Sequence, residues 1–145
     1  MLMKKNEKQR GLTLVELMVV IVIIGLISGI VVFNVLPAAD KAAVSTARTD
    51  IKRLQTALTQ YRLDNQSYPT QAQGLEALVE MPRGLRRPER YQTGGYIQSL
   101  PEDPWGNPYV YIYPGEFGEF DIVSYGRDGR PGGEGLDADI GSWEN

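Results

Sequence analysis

Two hydrophobic patterns divide the chain. From Leu17 to Leu36, twenty consecutive residues carry no charge. At about 1.5 Å per helical residue that run reaches about 30 Å, the hydrocarbon thickness of a bilayer, so it predicts a transmembrane helix. Further on, Val44, Ala47, Ile51, Leu54, Leu58 and Tyr61 recur at alternating steps of three and four, which places them in one stripe along an amphipathic helix over about 38–65. The remaining faces hold Lys41, Arg48, Asp50, Lys52, Arg53 and Arg62. Such a stripe is expected to pack on the chain's own sheet, and its heptad-like spacing leaves coiled-coil pairing as the alternative. Pro37, at the join, is a point of kinking or interruption; Gly25 and Gly29 are weak points in the apolar run.

Beyond the stripe the pattern shortens. Asn65-Gln66-Ser67-Tyr68-Pro69 closes the helix, and Thr70 with Gln73 has the spacing of a capping box, predicting a short helix over about 71–81 that Pro82 ends. From Tyr96 onward short strands and turns take over. Tyr109–Tyr113 and Phe120–Ser124 alternate apolar and other residues, and Pro114–Gly118 between them marks a hairpin connection. The stretch Leu100–Tyr109 is too rich in Pro and Gly for regular structure, and its Trp105 and Tyr109 are expected to cap the core rather than bind a ligand. The fold class predicted is α+β: a long N-terminal transmembrane and stalk helix packed on a small antiparallel β-sheet, with a C-terminal loop in the β region of 96–145.

Composition removes whole classes of chemistry. The 145 residues include neither Cys nor His, which excludes disulfides, His-dependent nucleophile pairs and the usual N/S zinc sites. Charge is unevenly distributed. Residues 1–11 hold Lys4, Lys5, Lys8 and Arg10 against Glu7, and the positive-inside rule puts this flank in the cytoplasm and residues after about 37 across the membrane. A secretory signal peptide would share the basic start, but its apolar region is shorter, about 7–15 residues, and ends in a small-x-small site that Leu36-Pro37-Ala38-Ala39 matches poorly. A plain uncleaved anchor does not explain Glu16, an acid placed within the apolar run, where a charge is costly without a partner. Cleavage between Gly11 and Leu12 would create such a partner, an α-amino group four residues before Glu16, and Gly suits a protease that grips extended backbone.

The string Lys4-Lys5, Arg10-Gly11-Leu12-Thr13-Leu14-Val15-Glu16, followed by the apolar helix, resembles the class III signal of type IV pilins and type II secretion pseudopilins. In that family a membrane aspartyl peptidase cuts after the Gly and methylates the new N-terminus. Gly11, Leu12 and Glu16 match the cleavage, new terminal and charge-pairing positions. The resemblance implies a leader at 1–11, a transmembrane helix at 12–37 and a periplasmic domain at 38–145 with a type IV pilin-like fold. Two positions depart from the pattern: Leu12 stands where Phe is usual, and Phe33 where a Pro is common.

Two loops carry opposite charge. Arg83, Arg86, Arg87 and Arg90 surround Glu89, an arrangement read as a subunit contact or a solvated loop; a nucleic-acid role is set aside because the rest of the domain is acidic. Residues 116–145 contain eight acids against Arg127 and Arg130. Within them the glycine-rich Gly126–Asp139 cannot form a core of its own, and either a solvated acidic turn or a hard cation held by carboxylates and carbonyls would account for it. Its spacing does not fit an EF-hand.

The strings Tyr68-Pro69-Thr70 with Gln73-Gly74-Leu75, Leu100–Gly106, and Gly129 with Asp139-Ile140-Gly141-Ser142-Trp143 sharpen the resemblance to the major, G-type pseudopilins of the type II secretion system. It implies a structural calcium in the C-terminal loop, with Asp128, Asp137 and Asp139 at the acid positions and the Tyr125 backbone carbonyl as a donor. It also implies a non-enzymatic, single-pass inner-membrane subunit that assembles into a helical homo-oligomeric filament, with Glu16 neutralising a neighbour's Leu12 amine. The implied partners are minor pseudopilins, the prepilin peptidase, and an inner-membrane platform with its ATPase; the implied work is protein export across the outer membrane. A type IV pilin for adhesion or DNA uptake is the alternative. A third reading, a membrane-anchored glycosidase, needs only two carboxylates about 5–9.5 Å apart, but a small domain offers it little cleft.

Overall fold

The computed structural model describes residues 11–144, the side chains of 29–36 excepted. The expected leader falls outside it but for Gly11. Helix α1 runs from Leu14 to Asn65 with Pro37 inside it, so the proline does not end the helix. Among the described residues no helix is long and apolar enough to cross a membrane; the expected span Leu17–Leu36 includes 29–36, whose side chains are not described.

The chain forms two compact units, 1–39 and 40–145. In the first, Leu17 to Leu26 present exposed apolar side chains along α1. The second is built around the stripe of α1. Ala47, Ile51, Leu54, Ala57, Leu58 and Tyr61 are buried, with Val44 packed at the edge. The three-and-four spacing aims them at one side, and Lys41, Arg48, Lys52 and Arg53 stay exposed while Asp50 is half-buried.

That stripe packs in one cluster with Leu75, Ala77 and Leu78 and with Tyr109, Tyr111, Ile122 and Ile140 of the sheet region. Strands β1 (Val110–Ile112), β2 (Asp121–Ser124) and β3 (Ile140–Gly141) form an antiparallel sheet in the order β1-β2-β3. Tyr111 faces Ile122 across the hairpin, and Ser124 faces Ile140. Pro108 and Pro114 bracket β1, which keeps the strand short because proline cannot donate to a ladder.

The 71–81 segment differs from the helix predicted there. Its capping box forms: the Thr70 N–H donates to Gln73 Oε1 at 2.9 Å and the Gln73 N–H to Thr70 Oγ1 at 3.2 Å. The box leads into a turn, and helical geometry returns only as a 3-10 segment over Leu75–Leu78. Gly74, at φ 61, breaks the α path directly after the box.

Candidate functional site

Gly11 and Leu12 precede α1 as exposed, non-helical residues. The helix opens on Thr13, whose Oγ1 accepts the Glu16 N–H at 3.2 Å while its carbonyl accepts the Leu17 N–H at 3.1 Å. Thr13 is therefore the N-cap and Glu16 the third helical residue, the Thr-x-x-Glu spacing of a capping box. The sequence carries this signal, but sequence reasoning missed it by treating Glu16 through its charge alone. Glu16 is exposed in the first turn, where the partial positive charge of the helix N-terminus favours a carboxylate.

In the C-terminal loop, Asp128, Asp137 and Asp139 are each engaged by protein donors. Arg127 grips Asp137 with both arms, Nε to Oδ1 at 2.9 Å and Nη2 to Oδ2 at 3.1 Å. That contact raises the Arg127 pKa above its ordinary value. Asp128 Oδ1 accepts the Arg130 N–H at 3.0 Å, and both Asp139 oxygens accept the Gly132 N–H at 3.0 Å. Tyr125 follows β2 directly and is half-buried. The donor class, carboxylate and carbonyl oxygen, suits a hard cation. The arrangement does not yet assemble one: among the described residues no group of three or more Asp, Glu, His or Cys is placed to hold a metal ion.

Two buried carboxylates that sequence reasoning passed over hold the loops in shape. Asp103 Oδ1 accepts the N–H groups of Trp105 at 3.1 Å and Asn107 at 2.8 Å, and its Oδ2 accepts the Ser124 hydroxyl at 2.7 Å. This pins the proline-rich turn to β2. Its signal was Asp103-Pro104-Trp105-Gly106, the residue order of a type I turn, closed here by the Gly106 N–H on the Asp103 carbonyl at 2.9 Å. Asp121 Oδ2 accepts the Glu116 and Phe117 N–H groups at 2.6 and 3.1 Å, ordering the hairpin loop. Tyr109 and Trp105 lie on the core as expected. The Tyr109 hydroxyl donates to Asp50 at 3.2 Å. Burial, with Tyr96 and Tyr91 alongside, pushes the Tyr61 hydroxyl up to about 12, and burial also raises Tyr109 and Tyr111.

The family model for type II secretion system protein G matches residues 34–143. The chain belongs to the type II secretion system protein G family. A prokaryotic N-terminal methylation motif matches residues 6–32, the stretch that contains Gly11, Leu12 and Glu16. Among family members, type II secretion system core protein G of Pseudomonas aeruginosa is 49% identical over 141 residues, covering 97% of this chain and 99% of the relative. The protein of the same description from Vibrio cholerae is 52% identical, covering 97% and 96%. The crystal structure of the major pseudopilin from the type 2 secretion system of enterohaemorrhagic Escherichia coli superposes with a TM-score of 0.65 at 44% identity, covering 76% of this chain and 94% of that one. The protein G relatives are named as secretion components rather than as enzymes, and the type IV pilin alternative is not favoured.

Proposed function

We propose that this chain is the major pseudopilin of a type II secretion system, a structural subunit that polymerises into a periplasmic filament driving protein export across the outer membrane. The observation that carries the reading is the succession along one chain of a methylation motif around Gly11, Leu12 and Glu16 and a protein G domain with the pseudopilin fold. Cleavage after Gly11 exposes the Leu12 amine, which is then methylated. The apolar helix of 12–37 anchors the mature chain in the inner membrane as a single pass, N-terminus cytoplasmic, with 38–145 in the periplasm. Glu16 of one subunit neutralises the Leu12 amine of the next and sets axial register, since an acid in the apolar layer is stable only with a partner. The prepilin peptidase, minor pseudopilins, and the platform with its ATPase are the partners this assembly needs. The working experiment is deletion of the gene in its own host: exported enzymes should accumulate in the periplasm and be released again on complementation. Normal secretion after deletion would contradict the proposal.

Calcium in the C-terminal loop is part of the same reading. Asp128, Asp137, Asp139 and the Tyr125 carbonyl would hold the ion, which supplies a multivalent cross-link in a loop without a core. Its binding requires Arg127 to release Asp137. A ligand that binds only the folded state stabilises it, by about 2.7 kcal/mol when present at a hundredfold excess over Kd. Melting with calcium should therefore exceed melting with chelator, and identical melts would count against the site.

A further inference from the structure

The arginine loop of 83–90 is not absorbed by the reading above, and neither is an exposed aromatic pair on the sheet side. Arg83, Arg86, Arg87 and Arg90 are all exposed, and none forms an ion pair among the described residues, unlike Arg48, Arg53, Arg62 and Arg127. Their loop is nonetheless built. Leu85 and Tyr91 pack against the core, the Tyr91 hydroxyl donates to the Ala77 carbonyl at 3.0 Å, and Pro88–Arg90 is a 3-10 turn closed by the Tyr91 N–H on the Pro88 carbonyl at 3.1 Å. With the backbone beneath these four cations already fixed, meeting a partner costs the ordering of their side chains but not of the loop.

The complementary surface lies on the same chain. Phe117 is 60% exposed and Trp143 38% exposed, their ring centroids 4.2 Å apart at 31°. This shelf is also fixed. Asp121 holds the Glu116 and Phe117 N–H groups, and Gly141 admits the Trp143 ring at a place where a Cβ would overlap it. Each ring has an acidic neighbour in the chain: the exposed Glu116 precedes Phe117, and the half-buried Glu144 follows Trp143 and pairs with Arg48 at 3.1 Å. Exposed aromatic faces bordered by carboxylates suit a guanidinium, which stacks on rings and forms forked bonds with acids.

We propose that the arginine platform of one copy docks on the Phe117–Trp143 shelf, with Glu116 and Glu144, of the next copy. The two faces use different residues, so the contact is heterologous, and a heterologous contact that does not close propagates as an open helical filament. The contact rests on the filament reading and names the surfaces that meet.

The chain has no cysteine, which makes cross-linking clean. In cells assembling the full-length protein, copies with Arg87→Cys and copies with Phe117→Cys, expressed together and oxidised, should give disulfide dimers, and each expressed alone none. The double variant should give a ladder. Arg86→Glu with Arg87→Glu should cut filament yield several-fold while leaving the monomer's melting unchanged, since both side chains are exposed. Filaments visible by electron microscopy without a disulfide between the Arg87→Cys and Phe117→Cys copies would overturn this contact and leave the filament reading standing. Absence of filaments from the unaltered chain would overturn both.

Discussion

Asp103 is a carboxylate held almost out of water by three donors, two from its own turn and one from Ser124. Asp103→Ala removes the acceptor of the buried Ser124 hydroxyl and of two part-buried N–H groups, at a cost of about 3 kcal/mol, read as a fall in the denaturant midpoint of the purified protein. The buried tyrosines give a pH dependence. An unfolded tyrosine titrates near 10, whereas Tyr61 titrates at about 12 in the fold and Tyr109 and Tyr111 are raised by burial. A raised folded pKa means that the stabilisation is complete below about 10 and is lost as pH rises through the folded value. Unfolding between about pH 10 and 12, coincident with late ionisation of a subset of the eight tyrosines, is the expected titration. Full tyrosine ionisation near 10 with the fold intact would refute it. Asp103 could not be ranked as buried from sequence, because what makes its burial tolerable is the set of N–H groups the turn directs inward, and that set exists only once the turn is closed.

At the scale of elements, the stripe of α1 was legible because packing and periodicity are the same fact seen twice: side chains at steps of three and four share a face whatever that face meets. The short 71–81 segment was only half legible. Its capping box is plain in the residues, but the glycine one residue later has more conformational freedom than a helix interior tolerates, and local geometry prevailed over the apolar spacing of Leu75, Leu78 and Val79. Strand β3 left almost no pattern, since two residues, one of them Gly, cannot show alternation. A paired substitution tests the helix assignment. Leu58→Ala, at a position with no exposure, should cost about 2–5 kcal/mol. Leu63→Ala, 66% exposed on the same helix, should change stability by no more than about 0.5 kcal/mol. Equal effects in chemical denaturation would mean that the stripe does not face the core.

For the whole molecule, an N-terminal methylation motif is joined to a domain whose relatives are named as type II secretion components. The methylation motif over residues 6–32 was legible because a lone acid in an apolar run, Glu16, demands an explanation. The proposed calcium ligands carry a weaker signal: Asp137 pairs with Arg127 at 2.9 Å, and residue type alone does not choose between that partner and a metal. If Glu16 is the partner of a neighbour's Leu12 amine, as proposed, Glu16→Val should abolish assembly while the Gly11–Leu12 bond is still cleaved, because the residues on either side of that bond are unchanged. Retained assembly would contradict the pairing. The central claim, that this chain is a processed filament subunit, is tested most directly by the intact mass of the protein in filaments isolated from the opened periplasm of cells that make it. The account predicts filaments whose principal component begins at Leu12 and carries one added methyl group. A preparation with no filaments, or with a chain that still begins at Met1, would contradict it.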